Sequence, residues 1–298
     1  MRASRRSILR TTLLGLGAAA AGAAATRIPD MFGPDRLPLS GGYAAAADNP
    51  GAVRHPTTSI TYYVDTAEPV VAFTFDDGPG PRWTPMVLDA LDAHNVPATF
   101  FMVGRNLETY ADLVRGRLGR HEVANHSWSH PDLAKLDLED VRRQITRTHE
   151  TIAAVTGRQT RLLRPPYGHI GGSTVLAADS LGYDVVLWSR QMRERVFKHD
   201  PSKQVEDIVT SVRPGDIVLA HDVGRRERLV ALANLGGMFA GLRARGFRFV
   251  TVSELRSMQR PAQPPQPAAA LPAGPPVPAA PPAAEARPRA RRHDGLNP

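Results

Sequence analysis

The sequence predicts an α/β fold built on a largely parallel sheet. Three observations carry that prediction. Short apolar runs alternate with helix-period segments from Val70 to about Met258; residues able to do chemistry stand at the carboxyl ends of those runs; and 42% hydrophobic content over 298 residues suffices for a substantial core.

The first strand spans Val70 to Phe75 and stops abruptly at Asp76-Asp77-Gly78-Pro79, two adjacent carboxylates and a turn. Thr84 is placed to cap the helix that follows, with Pro85 at its first position. Ala98 to Val103 and Glu122 to Asn125 form the second and third strands. Asp137 can cap a helix whose Val141, Ile145, Ile152 and Val155 share one face. Arg161 to Arg164, Asp184 to Trp188 and Asp216 to Ala220 supply the fourth, fifth and sixth strands. A helix carrying Leu229, Leu232, Leu235 and Phe239 precedes the last, Phe247 to Thr251. Tyr62, Tyr63 and Val64 are expected as an extra strand packed outside the main sheet.

The two ends of the chain do not belong to this core. Residues 1–47 read as an export signal and pro-region: Arg2, Arg5 and Arg6 precede an apolar stretch from Thr11 to Ala25, with cleavage placed after Ala25 or among Ala44 to Ala47. Ser4-Arg5-Arg6-Ser7-Ile8-Leu9-Arg10 is similar to a bacterial twin-arginine signal, which exports folded proteins. A stretch this short and rich in Ala and Gly is no stable membrane anchor, so a secreted or wall-associated protein is expected. Residues 48–68 read as a linker with the accessory strand, and residues 69–258 as the folded domain. Residues 259–298, mostly Pro, Ala and Arg, are expected to be an extended tail whose Arg287, Arg289, Arg291 and Arg292 could touch anionic wall polymers.

The absence of cysteine excludes disulfides, thiolate metal sites and a cysteine nucleophile. Any metal must therefore sit on His, Asp or Glu. The net charge of +8 is contributed partly by the two ends, and no aromatic-basic groove pattern points to nucleic acid.

The reactive residues fall beyond the strands in turn: Asp76 and Asp77 after the first, His126 and His130 the third, Arg164 and Tyr167 the fourth, Glu194 the fifth, His221 the sixth. In parallel α/β folds those ends share one face, where active sites gather. Side-by-side acids persist where a cation or an arginine neutralises at least one of them. His126 and His130 stand four apart, so one helical turn would place both imidazoles on one side. With Asp77 they complete a His-His-carboxylate set of the kind that catalytic zinc uses; zinc is the default ion without thiolates, and cobalt or another divalent ion could serve.

Thr74-Phe75-Asp76-Asp77-Gly78-Pro79, His126-Ser127-Trp128-Ser129-His130, Arg164-Pro165-Pro166-Tyr167-Gly168 and Leu219-Ala220-His221-Asp222 occur in the order seen in the polysaccharide deacetylases of the NodB-homology type, carbohydrate esterase family 4, which this chain resembles from roughly Pro69 to Leu255. The resemblance implies a distorted (β/α) barrel of about seven strands. It also implies removal of acetyl groups from an N-acetylglucosamine polymer of the peptidoglycan or chitin type, or from acetylated xylan, by a metal-activated water. Carried across motif by motif, Asp77, His126 and His130 would hold the metal, Asp76 would be the general base, and Arg164 would keep Asp76 ionised and oriented. The backbone N–H of Tyr167 would stabilise the oxyanion, His221 would protonate the leaving nitrogen, and Leu219 would contact the acetyl methyl.

The chain departs from the family after the fifth strand. An aspartate-rich segment ending in Asp-Trp is usual there, one acid of which steadies the catalytic histidine, whereas this chain reads Trp188-Ser189-Arg190-Gln191-Met192-Arg193-Glu194-Arg195. Glu194 is the expected replacement acid and Trp188 a candidate substrate contact. Arg190, Arg193 and Arg195 would place positive charge by the cleft. The altered segment keeps a second reading open, a glycan-binding module whose catalysis has decayed, and a third is hydrolysis of a small non-glycan amide.

Overall fold

The computed structural model describes residues 57–260; the export segment, the first part of the linker and nearly all of the tail lie outside the described residues. Nine strands form one sheet there: β1 (Ile60–Thr61), β2 (Val70–Asp76), β3 (Thr99–Met102), β4 (Glu122–Asn125), β5 (Leu162–Leu163), β6 (Asp184–Val186), β7 (Arg190–Gln191), β8 (Ile217–His221) and β9 (Arg248–Phe249). Their order is β1-β6-β5-β4-β3-β2-β8-β7, and every ladder is parallel. β9 pairs with β2 at Val70 and Val71, and β8 pairs with it from Ala72 to Asp76, so β2 changes partner midway. The sheet curls into a half-barrel.

Side chains alternate along β2 and so divide the core into two layers. Phe73 and Phe75 face the helices, where Phe73 meets Phe239 edge-on at 5.2 Å and Phe75 stacks on Phe100 at 5.3 Å between ring centres. Ala72 faces the inside of the curl, with Phe101, Ala124, Leu162, Val186 and Ile217. Burial on both sides explains why the strand reads as a continuous apolar run.

The helices that cover the outer layer are α1 (Thr84–Ala93), α2 (Gly104–Thr109), α3 (Leu138–Thr156), α4 (Gly172–Ser180), α5 (Pro201–Ser211), α6 (Arg226–Ala233) and α7 (Leu235–Ala244), with α8 (Val252–Ser257) closing the base of the inner layer through Val252 and Leu255. Asp137 caps α3 as expected, its side chain accepting from the Asp140 N–H at 2.7 Å, and Val141, Ile145 and Ile152 are buried.

Four expectations are corrected. Thr84 does not cap α1, whose N-cap is Trp83; its hydroxyl instead accepts from the Gly80 N–H at 2.8 Å and donates to Asp222 Oδ2 at 2.5 Å. The accessory strand is Ile60–Thr61, not Tyr62 to Val64, and it joins the sheet edge beside β6, because Asp184 Oδ1 accepts from both the N–H and the hydroxyl of Ser59. The single helix expected before the last strand is two, broken at Asn234. The fifth strand also ends early at Val186, and β7 splits off to pair with β8, which accounts for one of the two strands beyond seven.

Candidate active site

The register of β2 against its neighbours builds the site. Asp76 lies opposite His221 and Phe101, and Thr74 opposite Leu219 and Thr99. Paired residues in parallel strands point to the same side, so Thr74, Asp76, Leu219 and His221 all face the inside of the curl. Asp77 follows with φ of 76°, a left-handed conformation that turns its side chain off the strand's alternation, and its carbonyl accepts from Asn106 Nδ2 at 2.8 Å.

His126 and His130 come together, but not on a helical turn. The segment between them is irregular, with Ser127 and His130 both left-handed at φ of 65° and 62°. Three side chains hold it: Asn125 Oδ1 accepts from the Ser127 N–H, Ser127 Oγ from the His130 N–H, and Gln144 Oε1, reaching over from α3, from the N–H groups of Trp128 and Ser129, all at 2.9–3.1 Å. The turn brings His126 Nε2 to 3.5 Å and His130 Nε2 to 3.1 Å from Asp77 Oδ1, with the three potential ligand atoms within 4.8 Å of one another. His126 Nδ1 donates to the Arg164 carbonyl at 2.6 Å, which fixes the ring with its Nε2 turned toward Asp77.

Two imidazole nitrogens and a carboxylate oxygen around one point repel unless a cation lies between them. Burial raises the pKa of the Asp77 carboxyl, but hydrogen bonds from His126 and His130 outweigh it and hold the group well below the ordinary carboxylate range. Burial lowers the pKa of His126, and the charges of Asp76 and Asp77 overcome it and drive it up. The negative potential that would retain a proton also attracts a divalent ion, and the donor set suits one of borderline softness.

Asp76 stands beside the cluster. Its Oδ1 accepts from Arg164 Nη1 at 2.6 Å and its Oδ2 lies 3.8 Å from His126 Nε2. Burial lowers the pKa of the Arg164 guanidinium, opposed by the Asp76 charge. Across the site, His221 Nδ1 lies 3.3 Å from Glu194 Oε1. Burial pushes the Glu194 carboxyl up, and its hydrogen bonds with His221 and with its own backbone, together with the charges of His221 and Arg228, outweigh this and lower it.

Tyr167 is left-handed at φ of 62°, and its exposed ring meets His130 edge-on at 4.8 Å. Gly168 follows at φ of 72°, and a Cβ there would come within 2.7 Å of Trp188 Cη2, so Trp188 is the floor beneath this turn more than an open substrate wall. Leu219 is 6% exposed, on the His221 side of β8.

Sequence reasoning missed four contributors. Asn106 and Gln144 act through backbone groups, and nothing in their spacing distinguishes them from ordinary helix polar residues. Arg228 bonds Asp77 Oδ2 at 3.0 Å and the Val223 carbonyl at 2.6 Å. It lies 151 positions from Asp77, so only the fold reveals it. Asp222 is fully buried behind Gly78, its pKa raised to about 7 by desolvation, with Oδ1 lacking a hydrogen-bond partner among the described residues.

A parallel half-barrel whose strand ends gather a carboxylate and two imidazoles beside an arginine-held aspartate defines a class of hydrolase, and known sequences identify it. The pattern of the polysaccharide deacetylase family matches residues 63–186. The chain belongs to that family, carbohydrate esterase family 4 with its NodB-type domain, and is a polysaccharide deacetylase, an amide-acting hydrolase. A peptidoglycan-N-acetylglucosamine deacetylase of Bacillus cereus is 36% identical over 202 residues, which is 67% of this chain and 94% of the relative. A chitooligosaccharide deacetylase of Sinorhizobium fredii is 39% identical over 159 residues, 53% of this chain and 74% of the relative. The crystal structure of the Bc1960 peptidoglycan N-acetylglucosamine deacetylase, in complex with an N-hydroxybenzamide, superposes with a TM-score of 0.64 at 30% identity, covering 68% of this chain and 96% of that one.

Proposed function

We propose that the protein is an exported, metal-dependent deacetylase that hydrolyses the N-acetyl groups of an N-acetylglucosamine glycan, of the peptidoglycan or chitin type. The observation that carries this reading is the posture of Asp76. Arg164 occupies one of its oxygens while the other is turned toward the Asp77, His126 and His130 cluster. A carboxylate so held is oriented and within reach of a water on that cluster.

Asp77, His126 and His130 would hold the ion, which when bound supplies Lewis acidity toward the acetyl carbonyl and acidifies a water. Asp76 then accepts the proton of the attacking water, with Arg164 keeping its other oxygen engaged. The peptide N–H of Tyr167, at the rim beside His130, serves the developing oxyanion. His221 donates a proton to the departing nitrogen, since an amine anion is too poor a leaving group to depart unaided, and Glu194 fixes the imidazole that does so. Leu219, on the same face two residues earlier, is placed for the acetyl methyl. Acetate and a free amine are the products.

The 3.3 Å contact between Glu194 and His221 supports this over a decayed glycan-binding module, because a glutamate stands where the altered segment needed an acid. The metal is left as a divalent ion, zinc by its donor set.

The test is acetate release from N-acetylglucosamine oligomers and purified peptidoglycan. Chelation should abolish it, and zinc or cobalt restore it. Asp76→Asn should lower kcat by about 10²- to 10⁴-fold with glycan binding retained. In the producing cell the activity should appear outside, and stay inside when Arg5 and Arg6 are replaced by lysine. Metal-loaded, folded protein that frees no acetate from either substrate would sink the proposal.

A further inference from the structure

A cavity of about 490 Å³ opens beside the His221–Glu194 pair, and its wall carries Arg193, Arg195, Arg225 and Arg228. The four guanidinium groups arrive from two separate places, the segment after β7 and the segment running from β8 into α6. Two are engaged: Arg193 Nη1 lies 3.3 Å from Asp207 Oδ1, and Arg228 Nη1 lies 3.0 Å from Asp77 Oδ2. Arg195 and Arg225 are exposed, and neither side chain has a hydrogen bond or ion pair among the described residues. Of the two acids in the wall, Glu194 is committed to His221, which leaves Glu227 alone against two uncommitted arginines. The cavity therefore favours an anion.

The chemical form of that anion follows from the donors. Guanidinium groups present a planar fork that matches a carboxylate with two parallel hydrogen bonds. Val196, 61% exposed in the same wall, offers an apolar surface to the short hydrocarbon that would link a carboxylate to a sugar. Because the cavity shares His221 with the reaction centre, a group held there sits on the sugar that carries the acetamide or on its neighbour.

We propose that this cavity is a carboxylate-binding subsite, in which Arg195 and Arg225 select N-acetylglucosamine glycans bearing acidic substituents over neutral chitin. The inference rests on the deacetylase reading and deepens it. A carboxylate of this kind can come from a lactyl ether on the alternate sugar or from a peptide attached to it, and the chemistry recognised is the same.

The experiment compares kcat/KM for three substrates: a neutral N-acetylglucosamine oligomer, a peptide-free glycan with lactyl carboxylates, and the same glycan bearing peptides. Wild type should prefer an acidic glycan, and raising the salt concentration should erode the preference. In the Arg195→Gln/Arg225→Gln protein the acidic-to-neutral ratio should fall about tenfold, the effect of losing two partly solvated charge contacts. Preference for the peptide-free glycan identifies the lactyl group, and preference confined to the peptide-bearing one identifies the peptide. No preference in wild type, or a ratio unchanged in the double variant, overturns the subsite. If wild type turns over none of the three, the deacetylase reading falls, while calorimetric titration of the same glycans still decides the subsite. The acidic form should bind about tenfold tighter than the neutral one, and the double variant should lose that difference.

Discussion

Arg164 has no exposed surface, and hydrogen bonds engage four of its five N–H donors: Nε to the Val186 carbonyl, Nη1 to Thr74 Oγ1 and Asp76 Oδ1, and Nη2 to the Leu187 carbonyl, at 2.6–3.0 Å. Its plane also lies over the Phe101 ring, 3.9 Å from the centre. Arg164→Met should leave the Asp76 charge buried without a partner and cost about 3–5 kcal/mol, read from urea unfolding. Arg164→Lys should recover only part of this, because a point charge on a flexible stem cannot span all four acceptors. Wild-type stability in the methionine variant would show that the pair does not bear on folding. The residue types in this site were legible in the motifs: Asp76, Asp77, His126, His130, Arg164 and His221 converge as the strand ends suggest. Two of the contacts were legible as well, through the resemblance: Arg164 with Asp76 and Glu194 with His221. That Arg228 reaches Asp77 was not, because it depends on a loop whose path local periodicity does not encode.

At the scale of elements, the sheet's patterning was readable wherever burial is strong. β2 is apolar along its length because both faces are covered, and α3 shows its buried stripe and its cap in the sequence. Short pieces were less so. β1 has two residues, and its place beside β6 rests on Asp179 and Asp184 receiving the N–H groups of residues 57–59, contacts some 120 positions apart. Gly215 anchors the far end of this arm: the Val64 N–H donates to its carbonyl at 3.0 Å and its own N–H donates to Val70 at 2.9 Å. It holds φ of 84°, and a Cβ there would stand 1.8 Å from the Val64 carbonyl oxygen. Gly215→Ala thus combines a left-handed conformation with a backbone collision. It should cost about 2–4 kcal/mol, measured as a lower urea midpoint. A midpoint equal to that of wild type would mean that the arm is not part of the cooperative unit.

The whole molecule should lose stability in acid by a route outside the active site. His121 is buried against Phe100, and its Nδ1 accepts from the Ala98 N–H at 3.2 Å, so a proton on that nitrogen would expel the bond. Burial lowers its pKa to about 4 from 6.5. Between those values the unfolded chain binds a proton that the folded chain refuses, so stability is fully present above pH 6.5 and falls as the pH drops toward 4, by about 3 kcal/mol in total. His121→Leu should be less stable at neutral pH yet show a shallower acid decline, and the difference between the two stability curves isolates this residue. Parallel curves would refute the assignment. The sequence by itself determined the α/β class, the order of the strands along the chain and the chemical identity of the site, because apolar alternation and motif residues are local properties of the chain. Only the tertiary structure decided the curl of the sheet, the left-handed turns that aim Asp77 and His130, and the arginine-lined cavity beside His221. Those depend on contacts between segments far apart in the chain, whose geometry exists only once the two layers have packed.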